Sequence, residues 1–255
     1  MSSNIEPDRR PILEMKGISK AFGHVQALYK VDFELYPAEV VGLVGDNGAG
    51  KSTLIKILSG VYQKDEGEIY INGQRVEINS PTDADRYGIS TVYQDLALVD
   101  VRDVGSNIYL GREPRRLGIL IDFPKMYADA RAVLNVLRIN MPSVKVNVGE
   151  LSGGQRQAVA IARSLARGRN IFLMDEPTAA LGVEQRRKVQ DLIADLRAQG
   201  KTVVVISHDL EHVFEIADRV IVLRLGQRVG TRARNETTKE EIVGLITGAI
   251  RGDVA

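Results

Sequence analysis

The stretch that decides the fold is residues 39–60, "EVVGLVGDNGAGKSTLIKILSG". An apolar run as long as a buried strand leads into a glycine-rich loop, and a segment with helical spacing follows and closes at Gly60. Residues 45–52 fit the pattern G-x-x-x-x-G-K-[ST], in which the backbone amides of the loop and of the next helix hold phosphates. The alternative is a glycine-rich turn that only caps a helix. The order of strand, loop and helix favours the phosphate site.

Each part of this loop has a predicted task. The glycines let the backbone wrap around phosphates, and Lys51 neutralises the terminal phosphates. Ser52 offers a hydroxyl to Mg²⁺, and Thr53 can reach a phosphate oxygen. The predicted nucleotide-binding residues of the loop are Gly45, Asp46, Asn47, Gly48, Ala49, Gly50, Lys51, Ser52 and Thr53.

Two further apolar runs, 170–177 and 201–208, have the length of strands in a parallel sheet that is covered on both faces. A helical face over 189–196 lies between them, so we expect an α/β fold with a parallel core. The N-terminal segments alternate apolar and polar residues and predict an antiparallel β layer with a hairpin turn at Asn72–Gly73. Residues 95–165 show helical patterns and no clear core strand, which indicates an inserted helical subdomain.

Polar side chains follow the predicted core strands. Open parallel sheets bind ligands beyond the carboxyl ends of their strands, so Asp175 is predicted to hold Mg²⁺ through water. Glu176 is predicted to orient or deprotonate the attacking water. The alternative for this pair is a simple turn before a proline. His208 ends another strand on the same rim, although a lone histidine is often structural. Gln94 is ambiguous, because a polar residue after a strand is often a turn former.

Composition narrows the class of protein. The chain has 255 residues with 34 Lys and Arg against 33 Asp and Glu, and this near-neutral balance argues against a nucleic-acid surface. Cysteine is absent, which excludes disulfides and thiolate metal sites. The polar start is unlike a signal peptide, and no apolar run approaches the roughly 18 residues that a membrane span needs. We therefore expect a cytoplasmic protein; any membrane crossing must come from another chain.

A second candidate grip for an anion lies at residues 151–155, "LSGGQ". Ser152 and Gln155 have the spacing of a capping box, in which each side chain bonds the backbone of the other. That alternative leaves Gly153 and Gly154 unexplained, because adjacent glycines weaken a helix start unless the bare backbone is used.

Together these motifs resemble the ATP-binding-cassette family from about Ile12 to Gly248, in the family's order of phosphate loop, glutamine, LSGGQ signature, acidic strand end and histidine. The resemblance implies a P-loop NTPase (RecA-like) parallel-sheet core with an antiparallel β layer and an inserted helical subdomain. It also implies ATP and Mg²⁺. The single domain would span 12–248, with 12–94 and 166–248 as the ATP-binding core and 95–165 as the helical subdomain.

The family's members work as head-to-tail pairs, in which each ATP lies between the loop of one subunit and the signature of the other. The resemblance thus implies that the two grips are halves of one site. The resemblance assigns stacking on adenine to Phe22, for which the alternative is a core aromatic. It assigns Mg²⁺ ligation to Ser52, Gln94 and Asp175, the role of catalytic base to Glu176 and a γ-phosphate contact to His208. Contact with the partner's ATP falls to Ser152, Gly153, Gly154 and Gln155. Gly182 departs from the pattern, since the family commonly has aspartate there.

Short sequence segments such as "DEPTAALGVEQ" (175–185) resemble those of the ATPase subunits of ribose-, xylose- and fructose-type sugar importers. Such a subunit would pair with its own copy and lie at the inner face of the membrane against permease subunits. An extracytoplasmic sugar-binding protein would act indirectly, and no nucleic acid would be involved. The alternatives are an ATPase for another cargo and a non-transport ATP-dependent switch.

Overall fold

The computed structural model describes residues 10–93, 95–139, 141–178 and 181–253. The deciding stretch forms the predicted strand, loop and helix, and every residue of its strand, Val40–Val44, is buried. The strands are β1 (Leu13–Phe22), β2 (Val25–Leu35), β3 (Val40–Val44), β4 (Glu66–Ile71), β5 (Gln74–Val76), β6 (Ile89–Val92), β7 (Arg115–Arg116), β8 (Leu120–Ile121), β9 (Ile171–Asp175), β10 (Thr202–Ile206), β11 (Arg219–Arg224) and β12 (Gln227–Ala233). The helices are α1 (Lys51–Leu58), α2 (Pro81–Arg86), α3 (Val104–Ile108), α4 (Phe123–Val136), α5 (Gly153–Ala166), α6 (Val183–Ala198), α7 (Leu210–Ile216) and α8 (Lys239–Thr247).

The central sheet has the strand order β12-β11-β3-β10-β9-β6. All its neighbours run parallel except β11 and β12, so the predicted parallel core is confirmed. In the register of β10, Ile206 lies between Leu43 of β3 and Asp175 of β9. The carboxyl ends of these strands therefore meet at one edge, where the loop after β3 and the acidic pair after β9 both begin.

The predicted antiparallel layer is a second sheet with the order β2-β1-β4-β5. Its hairpin turns at Asn72 and Gly73, whose φ angles of 51° and 76° are the positive values that a tight hairpin turn favours. Apolar side chains of this layer, of α1 and of one face of the central sheet form a common core, for example Phe33, Leu54 and Leu173. This core fixes α1 between the two sheets, and the phosphate loop at the start of α1 with it.

The predicted helical insertion consists of α3, α4 and α5 between β6 and β9. These helices share an apolar core with the other face of the central sheet, which includes Val104, Leu134, Val159 and Phe172. A short β7–β8 ribbon also lies there; the sequence patterns did not indicate it, because its residues are exposed. The boundaries at residues 94/95 and 165/166 remain predictions. No helix within the described ranges is long and apolar enough to cross a membrane.

Candidate functional site

The glycine-rich loop is shaped by backbone that lies directly against it. Gly45 has φ +149°, and a Cβ there would stand 2.1 Å from the carbonyl oxygen of Leu223 at the end of β11. Gly50 has φ +102°, and its Cβ would stand 2.7 Å from the carbonyl oxygen of Ala27 in β2. Only glycine fits either position. The loop between them is exposed at residues 46–48, so its outer edge is open to a ligand.

Lys51 occupies the centre of this loop. Its Nζ donates hydrogen bonds to the carbonyl oxygens of Gly45 at 2.6 Å and Asp46 at 2.9 Å. Burial lowers the pKa of Lys51, and the nearby carboxylates of Glu176, Asp46 and Asp175 oppose that shift. A buried ammonium ion held by backbone carbonyls retains charge for a bound anion. The loop and Lys51 thus suit a polyphosphate.

The acidic strand end lies close enough to influence Lys51 electrostatically. Burial raises the pKa of the Asp175 carboxyl, and the adjacent carboxylate of Glu176 raises it further. These two carboxylates are neighbours, and one of them is half-buried. A cation placed between this pair and a phosphate would offset the repulsion among their negative charges. Ser52 follows in the first turn of α1 and is exposed, and a hydroxyl oxygen is a donor that suits Mg²⁺. The residues present therefore fit the metal. Gln94, the third predicted ligand, lies outside the described residues.

Glu176 and His208, predicted only to share a rim, are in direct contact. The Nδ1 atom of His208 lies 2.7 Å from Oε1 of Glu176, and the backbone N–H of His208 donates to the same oxygen at 3.1 Å. Glu176 has φ +49°, a strained value for a residue with a side chain, while its N–H donates to the carbonyl of Ile206 at 2.9 Å. Such strain is typical of functional sites, where surrounding contacts maintain it. His208 is 75% exposed and can meet a ligand.

Phe22 ends β1 and is 43% exposed, so the core-aromatic alternative does not describe it. Its ring packs edge-to-face on Tyr62 with centroids 5.1 Å apart. The Nζ atom of Lys20 lies 5.4 Å from the centre of the Phe22 ring. Tyr62 was missed by the sequence analysis; an aromatic residue just after the glycine that closes α1 was the available signal. An exposed ring braced by a second ring suits stacking on a base.

The LSGGQ segment forms the start of α5, with Ser152 as the N-cap. Gln155 donates its backbone N–H to Ser152 Oγ at 3.4 Å and accepts the Ser152 N–H at 3.0 Å through Oε1, which is a capping box. Space at the two glycines is limited to different degrees: a Cβ at Gly153 would meet only the movable end of the Leu181 side chain, at 2.9 Å, whereas a Cβ at Gly154 would make a tight contact with Gln185 Cβ, at 3.2 Å. The capping alternative is thus realised, yet Ser152 and Gly153 remain exposed.

Gly182, the departure from the family pattern, is the N-cap residue of α6 with φ −67° and ψ 166°. Its N–H donates to Oε1 of Gln185 at 2.8 Å, so a side chain of α6 itself supplies the hydrogen-bond acceptor for the N-cap N–H. The same Gln185 packs against Gly154. One side chain therefore joins the start of α6 to the start of α5. Among the described residues, no hydrogen bond or ion pair joins residues 152–155 to the loop at 45–53 of the same chain.

A groove of about 390 Å³ lies where the helical part meets the core. Its wall includes Tyr93, which precedes Gln94, and the charged side chains of Asp85, Arg112 and Arg167. Arg112 Nη2 lies 2.7 Å from Asp85 Oδ2 and Arg167 Nη1 lies 4.0 Å from Asp85 Oδ1. Burial lowers the pKa of Arg167; the carboxylate of Asp85 opposes that shift, and repulsion by Arg112 and Arg169 adds to it. The groove is therefore polar with an excess of positive charge.

Comparison with known proteins places these features in a family. Residues 28–179 match the protein family described as "ABC transporter". The fructose import ATP-binding protein of Rhizobium meliloti is 45% identical over 94% of this chain and 95% of its own length. The xylose/arabinose import ATP-binding protein of Sulfolobus acidocaldarius is 44% identical over 95% of this chain and 96% of its own. A ribose import ATP-binding protein of Caldanaerobacter subterraneus is 45% identical, but the match spans only 48% of that protein.

Solved structures of similar shape are ATP-binding cassettes. An ABC transporter cassette in its ADP conformation superimposes with a TM-score of 0.80 at 27% identity, over 93% of this chain and 95% of that one. A dimeric bacterial ABC transporter cassette gives a TM-score of 0.73 at 26% identity, over 87% of this chain and 98% of that one. These matches confirm the fold that the sequence patterns predict.

Proposed function

Since the chain belongs to the ABC transporter family, we propose that it is the ATP-hydrolysing subunit of an importer that takes up a monosaccharide of the ribose, xylose or fructose class through a separate permease. The observation that carries the sugar assignment is the near full-length match to relatives named for fructose import and for xylose/arabinose import. The observation that supports ATP hydrolysis is the contact between Glu176 and His208 beside the phosphate loop.

In this proposal the chain's own groups divide the work on ATP. Residues 45–53 hold the phosphates through backbone amides and the Lys51 ammonium, while Phe22 stacks on the adenine. Glu176 accepts a proton from the attacking water at its carboxylate, and His208 contacts the γ-phosphate while the Glu176 contact orients its ring. Ser52, Asp175 and Gln94 would hold Mg²⁺, which neutralises phosphate charge when bound.

The second grip acts across a dimer. Ser152, Gly153, Gly154 and Gln155 would contact the ATP held by the partner subunit, so that ATP favours the closed pair and hydrolysis releases it. Two observations support this arrangement: Ser152 and Gly153 are exposed, and within the described ranges no hydrogen bond or ion pair joins this segment to the loop of its own chain. The partner is proposed to be a second copy of the chain, at the inner face of the membrane.

The groove beside Tyr93 is the proposed docking place of the permease. It lies between the core and the helical part, so a permease segment held there would sense movement between them. The sugar would reach the permease from an extracytoplasmic binding protein and would never touch this chain. No contact with nucleic acid is proposed, because the formal charge of the chain is only +1.

The test is uptake of a panel of labelled monosaccharides in the native cell, with wild type compared to Glu176→Gln. The variant loses the base but keeps the volume of the side chain, so we expect ATP to bind and uptake of one sugar to fall to background. Glu77→Gln is the matched control, because it makes the same change at an exposed surface pair with Lys64.

Uptake that is unchanged for every sugar, with the variant expressed and unable to hydrolyse ATP, would refute the sugar assignment and leave the ATPase in place. Loss of uptake of another solute would then identify a different cargo. Binding of the protein to ribosomes or DNA, without any effect on transport, would support a non-transport switch.

A further inference from the structure

A second contact joins the segment after Glu176 to the helix after His208. Thr178 Oγ1 and His212 Nδ1 are 3.2 Å apart, a hydrogen-bond distance. Both residues are buried, with exposures of 6% for Thr178 and 1% for His212. Neither belongs to the motifs that predict the site. The hydrolytic roles described above do not use them.

The buried environment of His212 disfavours a polar side chain at this position. Burial lowers the pKa of His212, and the surrounding charges of Asp209, Glu215, Arg186 and Glu176 modify that effect. The ring is therefore neutral near pH 7. Its Nε2 atom is buried and finds no hydrogen-bond partner in the described part of the chain. An apolar side chain would avoid this unpaired atom, so packing alone does not account for a histidine here.

The two contacts connect the same two segments. Glu176 and Thr178 lie on the strand-end segment, and His208 and His212 lie on the segment that leads into α7. In the Glu176–His208 contact the histidine is exposed and the glutamate partly buried, whereas both residues of the Thr178–His212 contact are buried. Asp209 begins α7 by accepting the N–H of His212 at 3.2 Å, so His212 also lies at the turn that carries His208.

We propose that Thr178 and His212 form a positioning pair that holds the carboxylate of Glu176 and the ring of His208 in register for hydrolysis. The pair is needed because Glu176 has φ +49°, a conformation that relaxes unless neighbouring residues maintain it. The strand-end segment is held on one side by the Glu176 N–H bond to Ile206 and on the other by Thr178. This inference rests on the proposed hydrolytic function of Glu176 and is independent of the sugar.

The test uses purified full-length protein and paired substitutions at each position. Thr178→Val and His212→Leu remove the polar contact and keep similar volumes. Thr178→Ser keeps the hydroxyl. His212→Asn places an amide near the position of Nδ1, whereas His212→Gln places it near Nε2. For each variant the measurements are kcat and KM for ATP, ATP affinity, and Tm to correct for the folded fraction.

We expect Thr178→Val and His212→Leu to lower kcat by about tenfold with KM and ATP affinity little changed, because the defect lies in alignment of the base. Thr178→Ser and His212→Asn should recover most of kcat, and His212→Gln should not. The double variant Thr178→Val/His212→Leu should be no worse than either single variant, since both break one contact.

A purely structural pair would give a different result: Tm would fall while kcat per folded molecule stayed at the wild-type value. Wild-type kcat in Thr178→Val and His212→Leu, or equal recovery by His212→Asn and His212→Gln, would also overturn the inference. The readout contains no sugar, so failure of the inference is distinct from failure of the import assignment.

Discussion

At the scale of single residues, the site holds charges that burial disfavours. Asp175 and Lys51 both have pKa values shifted by burial in the direction that opposes their charged forms. Burial therefore disfavours both charges in the nucleotide-free fold. A bound phosphate would balance the charge of Lys51, and a cation bound with it would balance the charge of Asp175. The site is therefore arranged for its ligand rather than for the stability of the empty protein.

This arrangement predicts that Asp175→Asn raises the Tm of the nucleotide-free protein at pH 7. The folded-state pKa of Asp175 is raised, so its protonated form favours folding and its ionised form opposes it; that stability is lost as pH rises through the folded pKa. The gain in Asp175→Asn should shrink towards about pH 4, where the wild-type carboxyl also becomes protonated. Thermal unfolding at both pH values checks this, with the exposed Asp191→Asn as control. An equal gain at both pH values would contradict the electrostatic explanation.

At the scale of elements, the start of α5 combines a structural cap with a proposed binding surface. Ser152 closes the capping box from one side, and its exposed position leaves the helix terminus open to a phosphate of the partner's ATP. Thr238 caps α8 through the same kind of bond, accepting the N–H of Glu241 at 3.2 Å. Substitutions at Ser152 and at Thr238 therefore separate the effect on helix capping, which both residues share, from the effect on phosphate binding, which is proposed for Ser152.

We predict that Ser152→Asp leaves folding stability within about 0.5 kcal/mol of wild type, because aspartate caps helices as well as serine does. Hydrolysis should fall about a hundredfold, since a carboxylate would repel the phosphate that the helix terminus attracts. ATP affinity of the monomer should stay unchanged. Thr238→Asp, the control on α8, should alter neither stability nor hydrolysis. A large loss of monomer affinity in Ser152→Asp would show that both grips act within one chain.

At the scale of the whole molecule, the proposed site is complete only in a head-to-tail pair. This geometry predicts complementation between two inactive variants. Lys51→Ala disables the loop and Ser152→Asp disables the signature, so in a mixed dimer one composite site has both defects and the other has none. Random pairing makes half of the dimers mixed, and hydrolysis should return to about a quarter of the wild-type rate. Activity is measured after mixing the purified variants. No recovery, with dimers shown to form, would mean that each site needs only one chain.

Much of this architecture could be predicted from the sequence, for physical reasons that differ by element. β3, β9 and β10 are continuous apolar runs because both of their faces are covered, and the phosphate loop has a pattern set by its ligand. β6, with the sequence ISTV at the edge of the sheet, lacks that signal, and α7 is too short for its periodicity to show.

Contacts between distant segments could not be predicted. Thr178 and His212 are 34 positions apart, and nothing in either segment indicates the other. The sequence patterns placed Glu176 and His208 on one rim, but residue type reveals neither the hydrogen bond between them nor the positive φ of Glu176. The tight packing of Gly154 against Gln185, 31 positions further along the chain, is likewise absent from the LSGGQ pattern.

The packing of the phosphate loop has a consequence for the rate of nucleotide binding. Carbonyl groups of Ala27 in β2 and Leu223 in β11 lie so close to Gly50 and Gly45 that neither glycine has room for a Cβ, and these neighbours confine the curved loop. We therefore expect the loop to lose little conformational entropy when a nucleotide binds, so that loop ordering adds little to the barrier to association. If the pair closes as proposed, we expect the slow event in the cycle to be the meeting or parting of the two subunits.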